Sequence, residues 1–302
     1  MEDKNPRLSD CTICPRTCHV NRLAGETGYC RTGADIVLAR AALHMWEEPC
    51  ISGERGSGTV FFSGCSLGCV YCQNEKIAKN HIGKEVTIDR LVEIFYELRE
   101  QGAANINLVT PTHMLHAVIR SIQTAKRQGF DLPFVYNCGG YEKPESIRLL
   151  AGLVDVYLTD FKYYDNALAI RYSNAPDYFT YASESLKEMV RQTGNAVFNE
   201  EGMMTKGVIV RHLILPGCIE DSKQIVKYLY DIYKDQIYIS LMNQYTPLPH
   251  VVAFPEINKK VTEAEYDEVV DYAIDLGVEK GFIQEGETAT ESFIPDFDIT
   301  GV

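Results

Sequence analysis

The chain of 302 residues is long enough to bury a large core and suits one α/β barrel-like domain with a small appendage. It is 45% apolar and 24% charged, ordinary for a globular enzyme, and its formal net charge of −13 argues against broad binding to nucleic-acid phosphates, which needs clustered Lys and Arg. No stretch approaches the ~20 apolar residues that cross a bilayer, and the opening Met1-Glu2-Asp3-Lys4-Asn5-Pro6 has no apolar signal region, so a cytoplasmic protein with no membrane partner is expected.

The ten cysteines then read as metal ligands and core thiols and not as disulfides. Residues 1–57 form a cysteine-rich opening segment, with Cys11, Cys14, Cys18 and Cys30 at C-x2-C-x3-C-x11-C spacing and turns at Pro15, Gly25 and Gly28. Such a set closes round one metal centre, either a second 4Fe-4S cluster or a structural zinc, and either would staple a segment too small for its own core. The irregular spacing fits iron-sulfur ligation slightly better, because zinc more often takes two C-x2-C pairs. Cys50 belongs to neither set and is expected to be a free structural thiol. Residues 51–58 are glycine-rich without the Gly-Lys-Ser/Thr of a phosphate loop, and read as a flexible connection.

From Thr59 the pattern is parallel β/α units over residues 58–285, followed by a tail, 286–302. The strand Thr59–Phe62 leads into Cys65, Cys69 and Cys72 at C-x3-C-x2-C spacing. Three close thiols leave one iron of a 4Fe-4S cluster open, whereas a structural zinc wants four closed ligands. Thr87 caps a helix whose apolar positions are Leu91, Ile94, Phe95 and Leu98. Strands are expected at 106–109, 133–136, 154–158, 208–214 and 237–241, with a last short one at 281–283. Helices are expected over about 113–127, 182–192 and 263–276, and after Pro216. Six or seven strands fall short of a closed eight.

The triplet with Tyr71-Cys72-Gln73-Asn74 resembles the signature of the radical S-adenosylmethionine (SAM) superfamily, in the version found in activating enzymes of glycyl-radical enzymes. The opening Cys14-Pro15-Arg16-Thr17-Cys18 with Asn21-Arg22 resembles stand-alone proteins similar to pyruvate formate-lyase activating enzyme. The resemblance implies an α/β fold, a partial (β/α)6 TIM-like barrel with a lateral opening, in which Cys65, Cys69 and Cys72 hold the cluster and SAM chelates the fourth iron. A low-potential donor such as flavodoxin or ferredoxin would reduce the cluster. SAM would then be cleaved to a 5′-deoxyadenosyl radical, which takes a hydrogen atom from a protein, peptide or small-molecule substrate. Activation of a glycyl-radical enzyme is the narrower form of this expectation. Two other classes stand beside it: an iron-sulfur electron-transfer or metal-binding protein without SAM chemistry, and a radical SAM enzyme that modifies RNA.

In a parallel barrel the chemistry sits where strands end. The candidate SAM contacts are therefore Thr110, Thr112 and His113 after the second parallel strand, Asn137 and Cys138 after the third, Asp160 and Lys162 after the fourth, Arg211 on the fifth, and Asn243 after the sixth. The Thr110-Pro111-Thr112-His113 stretch stands where many activating enzymes carry Gly-Gly-Glu to meet the SAM amino group. Asp160 and Lys162 lie two apart and share a face, which also suits a mutual ion pair; Arg211 and His212 must face opposite ways. Gln244, Gln284, Glu285 and the acidic Pro295–Asp298 stretch are candidates for lining or covering the opening, the last reading better as a solvated tail.

Overall fold

The computed structural model describes residues 8–79, 82–284 and 295–302; Glu285 and the first part of the expected tail lie outside them. In chain order the elements are β1 (Ile36–His44), α1 (Pro49–Ser52), β2 (Ser57–Phe62), α2 (Glu75–Ala78), β3 (Lys84–Val86), α3 (Ile88–Glu100), β4 (Ile106–Val109), α4 (Leu115–Arg127), β5 (Phe134–Cys138), α5 (Pro144–Arg148) and β6 (Val156–Asp160). Then come α6 (Asn166–Ser173), α7 (Tyr178–Thr193), β7 (Val197–Phe198), β8 (Met204–Leu213), α8 (Ile219–Tyr233), β9 (Tyr238–Met242), α9 (Glu263–Leu276) and β10 (Gly281–Ile283).

Local chemistry accounts for many of these bounds. Thr87 accepts the Arg90 amide 3.1 Å away and starts α3, whose Leu91, Ile94, Phe95 and Leu98 are all buried. Thr262 and Glu265 form a reciprocal capping box that starts α9, and Gly277 in the left-handed region ends it.

The sheet runs β10-β9-β8-β6-β5-β4-β2-β1-β3, with β7 paired only to β8. Strands β2, β4, β5, β6, β8, β9 and β10 are parallel and do not close on themselves, a partial barrel. Strand β1 pairs antiparallel with β2, from Leu38 opposite Phe62 to His44 opposite Ser57. The sheet therefore begins at Ile36, within the region expected to be a metal-held extension.

Residues 51–58 are not a flexible connection. Pro49–Ser52 is a helical turn with Cys50, Ile51 and Ser52 buried, and Asn105 donates to the Ile51 carbonyl at 2.7 Å. Cys50 and Ile51 pack with Val135, Val156, Leu158, Met204 and Ile209. The turn covers those apolar faces near the amino end of the barrel, and Cys50 is a free thiol there, pushed up to about 12 by burial. The stretch 295–302 is not a solvated tail either. The Ile299 amide bonds to the Ala39 carbonyl at 3.0 Å, Ala41 to the Thr300 carbonyl at 2.9 Å, and Phe297 meets the ring of Phe61 edge-on.

Candidate functional site

A cavity of about 420 Å³ opens at the carboxyl ends of the parallel strands, within the size range of small-molecule sites. One wall is the loop leaving β2, which brings Cys65, Cys69 and Cys72 to the cavity together. Leu67 donates its amide to Cys65 Sγ at 3.3 Å, and Ser173 donates its hydroxyl to Cys69 Sγ at 3.1 Å. The loop leaves the strand through Gly64 at φ +96°, where an added Cβ would lie 2.6 Å from the Thr32 methyl and 2.9 Å from the Cys30 carbonyl. Glycine lets the opening segment press directly onto this loop.

Burial pushes the Cys65 and Cys72 thiols up, mutual repulsion among the three sulfurs adds to the shift, and the Lys162 charge partly offsets it. Bare thiolates are therefore disfavoured here, and a group that supplies positive charge is what would hold them ionised. Three thiols lining one cavity, two of them with an N–H or O–H group aimed at sulfur, are a donor set that would hold a 4Fe-4S cluster and leave one iron without a protein thiolate.

The cavity also carries an ionic cluster. Lys162 Nζ lies 2.7 Å from Asp160 Oδ2, and Arg211 reaches Glu47 Oε2 at 2.9 Å and Asp160 Oδ1 at 3.3 Å. Arg211 also donates to the Asn137 side-chain oxygen, and Asn107 donates to Glu47 Oε1 at 2.9 Å. Burial is the largest single influence on both cations and works against them, yet Asp160 together with the other anions around them, Cys69 for Lys162 and Glu48 and Glu47 for Arg211, holds both above their ordinary ranges. The same two cations hold Asp160 below its own range despite burial. Asp160 and Lys162 thus form the ion pair that their two-residue spacing allowed, and both face the cavity.

Of the other expected contacts, Thr110, Thr112 and Cys138 line the cavity. Thr110 adopts φ +57° and donates its amide to the Asn137 carbonyl at 2.8 Å. His113 does not line it: its ring Nε2 sits 2.7 Å from the Ser63 carbonyl, and its own carbonyl accepts from buried Arg22. Asn243 does not line it either; its amide is taken by the Gln284 side chain at 2.7 Å, and Gln244 and Gln284 line the wall in its place. Arg211 faces the cavity, while His212 is buried on the other side between the Phe161 carbonyl and Ser222.

Three lining carboxylates escaped the sequence reading. Glu47 and Glu48 enter from the loop after β1, and Glu142 follows Gly139-Gly140-Tyr141 after β5. Glu48 is buried, which raises its carboxyl while Arg211 opposes the rise. Glu142 is 2% exposed and is pushed up to about 7, chiefly by burial. Adjacent glutamates before an apolar turn were the visible signal for the first pair; nothing local marks Glu142.

The opening segment carries the second cysteine set. Cys11, Cys14 and Cys30 are buried and Cys18 is half-buried. Burial pushes the Cys14 thiol up to about 12, and Cys30, Cys18 and Cys11 each raise it further, so the four sulfurs share one neighbourhood. Tyr29 donates its amide to Cys18 Sγ at 3.3 Å, and the Thr32 hydroxyl lies 3.1 Å from Cys30 Sγ. Among the described residues no three His, Cys, Asp or Glu side chains stand close enough to hold a single metal ion.

The radical SAM superfamily model matches residues 59–217. The "Uncharacterized protein" of Methanocaldococcus jannaschii is 28% identical over 275 residues, 88% of this chain and 75% of that protein. Among solved structures, Streptococcus suis SuiB bound to S-adenosylmethionine gives a TM-score of 0.50 at 13% identity, over 74% of this chain and 49% of that one. A domain of pyruvate-formate lyase-activating enzyme from Bacteroides vulgatus gives 0.40 at 12%, over 57% of this chain and 92% of that one. The chain spans about half the length of SuiB, and at such identity the likeness is one of fold. With the family model covering more than half of its length, across the strand, the cysteine loop and the ionic cluster's Asp160, Lys162 and Arg211, the chain belongs to the radical SAM superfamily.

Proposed function

We propose that this chain is an enzyme that cleaves SAM reductively and abstracts a hydrogen atom from a protein, peptide or small-molecule substrate. The observation that carries the reading is one cavity lined by Cys65, Cys69 and Cys72 and by Asp160, Lys162 and Arg211. When bound, the 4Fe-4S cluster and SAM supply the electron and the carbon-centred radical; the protein supplies placement and exclusion of water. Lys162 and Arg211 are the cations on the cavity lining that would meet a ligand carboxylate, and Asp160 keeps both in position. The loop carrying Glu47 to Ser52 closes the amino end of the barrel, so ligands enter from the strand ends.

Cys11, Cys14, Cys18 and Cys30 are read as holding a second 4Fe-4S cluster, supported by their spacing, their mutual repulsion and the hydrogen bonds to Cys18 and Cys30. That centre lies against the SAM-side loop and suits electron entry from a flavodoxin- or ferredoxin-like donor. A glycyl-radical enzyme is the narrower candidate substrate, supported by the likeness of Tyr71-Cys72-Gln73-Asn74 to activating enzymes. Ten free cysteines suit a reducing cytoplasmic setting; no helix among the described residues is long and apolar enough to cross a membrane.

The test is anaerobic reconstitution with iron and sulfide, followed by dithionite and SAM. The expected product is 5′-deoxyadenosine with methionine. A fully loaded, reduced protein that releases none would sink the reading and leave an electron-transfer role.

A further inference from the structure

The cavity lining is acidic, and one carboxylate near its inner end has no cation of its own. Among the described residues that line it are the carboxylates Glu47, Glu48, Glu142 and Asp160, against the cations Lys162 and Arg211. Both cations are engaged: Lys162 with Asp160 at 2.7 Å, and Arg211 with Glu47 at 2.9 Å and Asp160 at 3.3 Å. Glu48 is 8% exposed, and its Oε2 is buried with no hydrogen-bond partner. The groups that act on its carboxyl are Arg211, the repelling Glu47, its own backbone amide and the Ser240 hydroxyl.

Position separates Glu48 from the cysteines. His44, the last residue of β1, pairs with Ser57, the first of β2, while Cys65 follows Phe62, the last of β2. At about 3.3 Å per residue, β2 puts roughly 17 Å between those two ends. Glu48 therefore enters from the amino end of the parallel strands, and Glu47 beside it accepts from Asn107, the second residue of β4, at 2.9 Å. One cavity thus has the cysteines towards one end and a pair of glutamates towards the other.

A buried carboxylate oxygen without a donor costs several kcal/mol, and burial accordingly raises the Glu48 carboxyl. A proton or a cation removes that cost, and a cationic N–H group is the strongest complement. A cation also offsets the excess of carboxylates over lysine and arginine on the lining. Resting on the SAM reading above, we propose that the amino end of the cavity is the substrate subsite and that Glu48 there receives an alkylammonium group of the substrate through Oε2. Such a group is carried by a lysine side chain or by a small aliphatic amine. Anchored by its nitrogen at Glu48, the ligand extends its carbon chain towards the cysteine end.

The experiment is equilibrium binding by titration calorimetry to iron-loaded, unreduced protein saturated with SAM, in which no turnover occurs. The probes are n-pentylamine with its neutral counterpart n-pentanol, and a blocked tripeptide with a central lysine with its norleucine counterpart. Wild type is expected to bind at least one cationic probe, about tenfold or more tightly than the neutral counterpart. Binding of pentylamine alone assigns a small amine, and binding of the peptide alone assigns a lysine side chain. E48Q, which keeps the shape and removes the charge, should weaken the cationic probe about tenfold or more without lowering iron content, and E48D should recover part of that loss. A cationic probe that binds E48Q as it binds wild type, or wild type that binds SAM but neither cationic probe, would overturn this assignment alone. Wild-type protein that binds no SAM would overturn both this assignment and the function on which it rests.

Discussion

Arg16, set between Cys14 and Cys18, donates from Nε to the carbonyl of Ser66, the residue after Cys65, at 2.9 Å. One guanidinium thus joins the two cysteine loops. It also donates to the Leu67 and Ser173 carbonyls at 3.0 and 2.9 Å and lies 3.7 Å over the Tyr29 ring. Ser173 in turn donates to Cys69 Sγ. The opening segment is therefore held to the cluster loop by hydrogen bonds in addition to packing.

Arg16→Ala should lower stability by about 2–3 kcal/mol, since charge-assisted hydrogen bonds to several carbonyls are lost at once. A drop in the urea midpoint with an unchanged slope is the expected signature. Arg16→Lys should recover only part, because an ammonium cannot reproduce the planar fork. Unchanged midpoints in both variants would show that the two loops are held by packing alone.

The metal content separates the two cysteine sets. Reconstituted wild type should hold about eight irons per chain, and C65A/C69A/C72A and C14A/C18A should each lose about four. Only the first variant should lose SAM binding. Zinc in the as-isolated protein that disappears in C14A/C18A would replace the second cluster with a zinc site.

Arg211→Met should cost about 3–5 kcal/mol, because it leaves buried Glu47 without its cation and takes from Asp160 one of its two. Adding Glu47→Gln to that variant should restore part of the loss, and the size of the recovery in a double-mutant cycle measures the coupling. Strictly additive losses would mean that the two side chains do not act as a pair.

Glu142 predicts an unusual pH response. Its carboxyl is raised by burial to about 7 from 4.5, so the folded state binds more protons than the unfolded state between those values. Stability from this group is present below about pH 4.5 and is lost as pH rises through 7. E142Q should accordingly be more stable than wild type at pH 8, by about 3 kcal/mol, with the difference vanishing near pH 4.5. Urea unfolding of the SAM-free protein at the two pH values checks this; a difference independent of pH would remove the carboxyl as its cause.

His212 runs the other way. Burial holds its ring down at about 4, with the Phe161 carbonyl and Ser222 as partners. Its contribution is complete above 6.5 and is lost as pH falls towards 4, when the unfolded chain gains the proton first. His212→Gln should flatten the acid limb of the stability curve, and an unaltered acid limb would contradict the assignment.

Local physical chemistry made several elements legible from residues alone. The start of α3 follows from Thr87 and the spacing of its apolar residues, because capping and helical periodicity act within a few residues. The Cys65, Cys69 and Cys72 set was readable for the same reason, since its ligands lie within one loop, as was the opposition of Arg211 and His212, which strand alternation dictates. Strand β1 was not found, although Ile36–Leu43 is rich in apolar residues, because the neighbouring cysteines drew that region into a metal-held segment.

The cavity's charge balance was decided only by the fold. Glu47 meets Arg211 across 164 positions of sequence, and Glu142 meets Thr112 across 30. No periodicity or spacing links such pairs, because their distance is set by how β1, β4, β5 and β8 lie in one sheet. The sequence by itself determined the cluster chemistry, a local arrangement of thiols. The tertiary structure decided which carboxylates are compensated by cations, since burial and pairing depend on neighbours that only the folded sheet brings together.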